Sequence, residues 1–379
     1  MDVNEPLPLL GGLPPAAFMR RHWQKKPLLI RQAVPDAGML LNRAVLLALA
    51  GQPDVESRLI LGTTSSGDTW KMRHGPFTRR AFPPRARAGW TVLVQGVDLH
   101  LDAARRLLDR FRFVPEARLD DVMVSYATDG GGVGPHFDSY DVFLLQLHGR
   151  RRWRIGRQKD LRLREGLPVK ILQDFRPEQT FDLDAGDMLY LPPRYAHDGV
   201  ALGECMTLSV GFQSPARGTL AGELLQRLAQ DTDDLLGDAL YKDPGQPAVP
   251  SPGAIPAALQ DFARDALRRM LTDPALMARA LGEFLTEPKA QVWFVPADAE
   301  LPAEGAVRLD RKTRMMYDDA HVFINGESYR AGGRDATLMR RLSDARRLTA
   351  REHGAASAAA RELLQEWAQA GWVHGDGTA

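Results

Sequence analysis

The stretch Gly130-Gly-Gly-Val-Gly-Pro-His136-Phe-Asp138-Ser-Tyr140 decides how this chain is read. In an extended strand, residues two apart share a face, so His136 and Asp138 are expected to point the same way. One imidazole and one carboxylate converging on a point make two thirds of the two-histidine, one-carboxylate set. That set suits octahedral Fe(II) and leaves positions open for other ligands. The third ligand is expected on a later strand or loop that closes onto the first. His197 fits, because it follows Gly186-Asp-Met-Leu-Tyr-Leu-Pro-Pro193, a strand ending in a turn, and then Arg194-Tyr-Ala-His197. An isolated His-x-Asp arises by chance in a chain this long. The glycine-rich entry and the downstream Gly-Asp-strand-Pro-Pro segment together select the metal reading.

Outward from that stretch, Trp23 to Gln213 is punctuated by Gly and Pro, with short alternating runs between the breaks. Trp90-Thr-Val-Leu-Val-Gln95, Val122-Met-Val-Ser-Tyr126, Asp141-Val-Phe-Leu-Leu-Gln-Leu147, Arg151-Arg-Trp-Arg-Ile155, Met188-Leu-Tyr-Leu191 and Cys205-Met-Thr-Leu-Ser-Val-Gly-Phe212 read as strands. Many short strands at such spacing predict an all-β sandwich or barrel. Helical patterns interrupt it near Leu40 to Ala50 and Leu99 to Arg110.

The run Gly149-Arg-Arg-Arg-Trp-Arg offers a second test, independent of the metal. An enzyme that uses 2-oxoglutarate must neutralise the distal carboxylate with a buried cation, and a planar guanidinium does so bidentately. If His148-Gly149 forms a two-residue hairpin turn, Gln146 lies opposite Arg151. His136, Asp138, Tyr140, Val142, Leu144 and Gln146 share the inward parity. Arg151 then joins them, while Arg150, Arg152 and Arg154 face out as a solvated charged strand. Arg151 is therefore assigned to the cosubstrate. On the last β strand, Cys205, Thr207, Ser209 and Gly211 share one face. Thr207 and Ser209 are candidate pocket hydroxyls, with solvent-facing strand residues as the alternative. Asp121, Met123 and Ser125 also share a face. Asp121 reads as a recognition carboxylate for a basic substrate or as a surface aspartate capping a strand.

Beyond Gln213 the pattern changes. Leu220, Leu224, Leu225, Leu228 and Leu235, and later Leu259, Phe262, Ala263, Leu267, Met270 and Leu271, recur at helical steps on either side of a Pro-rich break. Amphipathic helices outside a closed barrel need a partner surface, so a homodimer is expected. The tail, from Pro288 on, mixes strands at Gln291 to Val295 and His321 to Ile324 with helices at Asp335 to Arg347 and Ser357 to Ala370. Asn325-Gly326 marks a hairpin, and the whole predicts a winged helix.

The sequence has 379 residues, a formal net charge of +1 and one cysteine, Cys205. The length calls for more than one core. The charge gives no global case for nucleic acid, so a basic partner site must be a local patch. In the tail, Arg330, Arg334, Arg340, Arg341, Arg346 and Arg347 are interspersed with Glu327, Asp335 and Asp344, and direct nucleic-acid binding is not expected. A single cysteine excludes intramolecular disulfides and a Cys-based zinc site. There is no leader pattern between Met1 and Met19, and no run reaches the about 18 apolar residues needed to span a bilayer. A cytoplasmic protein is expected.

At this point the residues resemble a known family. Trp23-Gln-Lys-Lys-Pro-Leu-Leu-Ile, the Gly130 to Phe143 segment, Gly149-Arg-Arg-Arg-Trp-Arg-Ile-Gly and Ser209-Val-Gly-Phe212 are similar to the bacterial ribosomal oxygenases. The resemblance spans nearly the whole chain. It implies a mainly β core, the double-stranded β-helix of cupin and JmjC proteins, with a helical dimerisation region and a C-terminal winged helix, α+β overall. The implied domains are 1–213, 214–284 and 285–379. It also implies an Fe(II)- and 2-oxoglutarate-dependent dioxygenase that hydroxylates the β-carbon (C3) of an arginine in large-subunit ribosomal protein L-sixteen, with succinate and CO2 as coproducts. His136, Asp138 and His197 are then the iron ligands and Arg151 the 2-oxoglutarate clamp. Asp121 and Tyr140 line the substrate arginine pocket, with Ser209 as neighbour. One departure stands out: Ala127 occupies a place where close relatives suggest a small hydroxyl residue, which leaves the second cosubstrate contact unassigned.

Three other readings compete. A metal-binding cupin without oxygenase activity has no need of an inward Arg151. A JmjC demethylase or hydroxylase acting on another protein would favour an aromatic cage for methyl-lysine, whereas Asp121 with Tyr140 suits an arginine. A nucleic-acid-binding regulator would rest on the tail, whose mixed charges argue against it.

Overall fold

Alternating apolar runs in the first half of the chain become strands β1 (Leu28–Ile30), β2 (Ser57–Leu61), β3 (Lys71–His74), β4 (Trp90–Val94), β5 (Leu119–Ala127), β6 (Val142–Gly156), β7 (Gln179–Leu183), β8 (Met188–Leu191) and β9 (Ala196–Phe212). They form one sheet in the order β1-β8-β6-β9-β5-β4-β2-β3, with β7 also on β6. This computed structural model describes residues 2–62, 70–230, 232–296, 300–302 and 305–375. The chain divides into two compact units, 1–214 and 215–379.

Two long strands organise the first unit. β6 pairs with β9 along nearly its full length, with β8 through Val142 to Leu145, and with β7 through Arg151 to Ile155. A strand that changes partners midway must bend. The bend falls at His148-Gly149, where the β6–β9 register shifts on both sides of His148. This corrects the expected two-residue hairpin: β6 runs straight through, and a β-bulge takes the place of the turn. Gly149 adopts φ +63°, and a Cβ there would lie 2.1 Å from the Glu204 carbonyl oxygen. Only glycine fits.

The bulge inverts side-chain parity. Phe143, Leu145 and Leu147 join the main core with Met206, Leu208, Val210 and Phe212. Val142 and Leu144, of even parity, share a second cluster with Trp153 and Ile155, of odd parity. Phe18 and Trp23, from the first helix and the segment after it, stack among Phe143, Tyr190 and Phe212 with ring centroids 5.0–6.3 Å apart. The helix Asp102–Asp109 buries Ala104, Leu107 and Leu108 in the same core.

The second unit opens with helices α1 (Arg217–Gln230), α2 (Thr232–Leu236), α3 (Ala257–Thr272) and α4 (Pro274–Thr286). α4 starts on Asp273, whose carboxylate accepts from the Ala275 and Leu276 amides, a favourable N-cap. Its Gly282 sits flat on the Phe323 ring, where a Cβ would come within 2.4 Å. The hairpin of His321–Ile324 with Glu327–Arg330 turns at Asn325-Gly326, both at positive φ. Helices Gly333–Ala345 and Ala358–Gln369 enclose a core that includes Leu342, Leu364 and Trp367. Gln291 to Val295 is not a strand. Its alternation is real, but among the described residues no strand pairs with it, and Trp293 and Val295 are exposed.

Candidate active site

The glycine-rich loop lies against the start of β9 as a loop, not as a strand, with Gly130 and Gly134 at positive φ. Gly130 donates to the Ala201 carbonyl (3.0 Å), and Ala201 donates back to Gly131 (2.9 Å). His136 and His197 form a single antiparallel bridge, with backbone bonds of 2.9 and 2.8 Å in the two directions. The glycines allow this close approach, since a Cβ on Gly132 would meet the Gly199 carbonyl oxygen at 2.5 Å. The expected His-x-Asp strand is thus one bridge within a loop. The His136 and Asp138 side chains still converge on one point.

His136, Asp138 and His197 each offer a ligand atom, and these atoms lie within 4.8 Å of one another. His197 Nε2 is 3.6 Å from Asp138 Oδ2. The other nitrogen of each imidazole is occupied by backbone: His136 Nδ1 bonds the Gly134 carbonyl oxygen (2.8 Å) and His197 Nδ1 that of Tyr195 (2.9 Å). A carbonyl only accepts, so each Nδ1 carries a proton and each Nε2 is the atom left to face a metal. This is the backing that orients histidines on metals. Burial, followed by the nearby His136, lowers the His197 pKa to about 4 despite Asp138. Two imidazoles beside a carboxylate are a donor set that fits a divalent ion.

Arg151 reaches the same interior. It is buried, its Nη1 donates to Ser125 Oγ at 3.4 Å, and its guanidinium carbon lies 5.6 Å from the Trp153 ring centroid. Among the described residues its buried Nε and Nη2 meet no hydrogen-bond partner. The neighbouring arginines are all paired: Arg150 with Asp184, Arg152 with Asp182, Arg154 with Asp198. Two unmatched donors of a buried planar cation fit a carboxylate. Thr207 is buried beside this group, and its hydroxyl donates to Gln146 Oε1 (2.9 Å). Ser125 donates to the Thr207 carbonyl (3.3 Å). Ser125 and Gln146 carried no assignment from sequence. The signal was there for both, in the inward parity they share with Asp121 and Asp138.

Asp121 is buried, which removes the surface-cap alternative. Its Oδ2 accepts from Gln95 Nε2 (2.7 Å) and the Gly96 amide (3.2 Å). A Cβ on Gly211 would be 3.7 Å from Asp121 Oδ1 and 4.0 Å from the Tyr140 ring, so the three residues are neighbours. Tyr140 is 37% exposed at the surface end of the group, while Ser209 is buried opposite Met123 and Leu144. Burial, then Asp138 and Asp121, raises the Tyr140 pKa, so its hydroxyl stays a neutral donor. Gln95, which holds Asp121, left no mark in the pattern, because its partner lies 26 residues away.

Comparison with known proteins agrees with this geometry. A family model described as a JmjC domain matches residues 106–220, and one described as a ROXA-like winged helix matches 269–374. The chain is 31% identical over 323 residues to ribosomal protein uL16 3-hydroxylase of Escherichia coli, covering 82% of this chain and 84% of that one. It is 36% identical over 225 residues to a probable ribosomal oxygenase of Haemophilus influenzae, covering 58% and 55%. A solved structure of YcfD, a ribosomal oxygenase from Escherichia coli, in complex with cobalt and 2-oxoglutarate, superposes with a TM-score of 0.80. Its sequence identity is 27%, covering 95% of this chain and 97% of that one.

Proposed function

This chain belongs to the JmjC ribosomal oxygenases, and from that premise we propose that it hydroxylates the β-carbon (C3) of an arginine in ribosomal protein uL16. The reaction consumes O2 and 2-oxoglutarate and releases succinate and CO2. The observation that carries the proposal is the pairing of two features in one interior: the His136, Asp138 and His197 ligand atoms, and the buried, unmatched Arg151 guanidinium. A metal-binding cupin without oxygenase activity would not need the second.

His136, Asp138 and His197 would hold Fe(II), which, when bound, supplies the chemistry that activates O2 at the expense of 2-oxoglutarate. The chain's own task is placement. The Gly134 and Tyr195 carbonyls hold the two Nε2 atoms toward one point. Arg151 binds the distal carboxylate of 2-oxoglutarate, and Ser125 and Thr207 line that end. Ser125 stands two residues from Ala127 on the same strand face and thereby fills the need for a small hydroxyl. Asp121, Tyr140 and Ser209 receive the substrate arginine, whose guanidinium finds in Asp121 a carboxylate already fixed by Gln95 and Gly96. A fixed counter-ion positions the target C–H without reorganisation during reaction.

The second unit serves assembly. Leu259, Phe262, Leu267 and Leu271 of α3 are exposed, an apolar stripe suited to a second copy. The proposal includes a homodimer and the division 1–213, 214–284 and 285–379. It places the protein in the cytoplasm; among the described residues no helix is long and apolar enough to cross a membrane. The test is to incubate the iron-loaded protein with a uL16 peptide, O2 and 2-oxoglutarate, and to measure succinate beside peptide mass. One added oxygen on the arginine, stoichiometric with succinate, is expected. Succinate without peptide oxidation would sink the substrate assignment.

A further inference from the structure

A cavity of about 350 Å³ opens beside the turn that follows β8. Of the residues given a role above, Tyr195 alone lines it, and that role belongs to its backbone carbonyl. Its wall carries Lys25, Arg157, Lys159 and Arg194, with Gln24 and Gln158 among the polar groups, and no aspartate or glutamate. Four cations around one concavity repel each other, and a low-dielectric wall focuses their field on whatever enters.

Elsewhere in this chain such charges are matched. Asp160 and Asp174, close by in sequence, are taken by Arg162 and Arg176, each pair at 2.6 Å. Those two aspartates are thereby committed within the loop, while Glu178, outside the cavity lining, acts together with Arg157 on the Tyr195 hydroxyl. The other cavity groups are held in place without being neutralised. Lys25 Nζ donates to the Arg20 carbonyl (2.8 Å), and Arg194 lies over the Phe137 ring at 5.9 Å. Gln158 Nε2 bonds the Asp160 and Asp174 carbonyls (2.6 and 2.7 Å), and Gln24 Nε2 bonds Asp141 (3.1 Å). The cavity adjoins the metal ligands through its wall, because the Arg194 amide donates to the Asp138 carbonyl (2.7 Å) and the Tyr195 carbonyl holds His197.

We propose that this cavity is an anion site that takes phosphate groups, free or carried on an RNA backbone. Four cations call for a multiply charged ligand more than for a single carboxylate, and arginine with lysine is the mixture that phosphate oxygens favour. The arginine-bearing substrate segment would be repelled here, so the cavity is separate in kind from the Asp121 pocket. It is the local patch that a near-neutral chain still permits.

The experiment measures calorimetric binding of inorganic phosphate and of a short oligouridylate to the full chain at low and raised salt. Arg157→Glu with Lys159→Glu is compared with Arg87→Glu, an exposed control outside the cavity, and circular dichroism verifies the fold. Saturable, salt-sensitive binding is expected, weakened more than about tenfold in the double variant and unchanged in the control. Tighter binding of the oligonucleotide than of phosphate identifies an RNA backbone as the source, and equal binding a free phosphate. The site is overturned if neither probe saturates, if the double variant binds like the parent, or if the control loses as much.

Discussion

β6 carries arginines on both of its faces after the bulge, and the two faces treat the same side chain in opposite ways. On the outer face, Arg150 and Arg152 are exposed, each with an aspartate at 2.7 Å on the segment of β7 and the turn after it, while Arg154 reaches the buried Asp198 of β9. On the inner face, Arg151 is buried and two of its nitrogens meet no acceptor among the described residues. A charge that serves the fold receives its counter-ion from the fold. Arg151 receives none among the described residues, and the chain carries the cost of burying it.

The comparison is tested most severely by the inner ligands. His136→Ala, Asp138→Ala or His197→Ala should abolish turnover and one-to-one metal binding while leaving the circular dichroism spectrum intact. Full activity of any one variant with saturating iron would remove the triad. Next comes Asp121→Ala, which strands a substrate guanidinium in a buried pocket and should cost about 3–5 kcal/mol in peptide kcat/KM. Uncoupled succinate formation should persist; normal peptide hydroxylation would move the pocket elsewhere.

Arg151→Ala should raise the KM for 2-oxoglutarate by roughly ten- to a hundredfold, the worth of a charge-assisted contact. A change in Tm without a change in KM would make Arg151 a structural residue. On the outer face Arg154→Ala should do the reverse, lowering stability by about 1.5–3 kcal/mol through the buried Asp198 and leaving KM alone; denaturant titration reads this directly. Arg152→Ala should have the smallest effect, since exposed pairs contribute little. If its KM rises as far as that of Arg151→Ala, the two faces do not differ and the contrast fails.

Strand parity identified Arg151 through a device the molecule does not use. Period-two counting needs a parity change between Gln146 and Arg151, and a hairpin at His148-Gly149 is the common way to obtain one. The structure obtains it from a bulge, because β9 stays paired on both sides and leaves no room for a chain reversal. Gly149 was the legible part. Likewise His136 and Asp138 converge without a strand, with a single bridge to His197 holding the loop in place. The run Gln291 to Val295 went the other way. Alternation marks a chain able to form a strand, and a strand exists only where an edge accepts it.

The sequence by itself determined the grouping of His136, Asp138 and His197, the inward arginine, the β zone ending near Gln213 and the Asn325-Gly326 hairpin. Each rests on short-range geometry, two residues along an extended chain or four around a turn. Tertiary structure alone decided which groups stand behind them: Ser125 against Arg151, Gln146 against Thr207, Gln95 and Gly96 against Asp121, and four cations from three separate segments around one cavity. These partners lie 25 to 61 residues apart where they bond, and no periodicity reaches that far. Their meeting is set by sheet order and register, which the hydrophobic core selects as a whole.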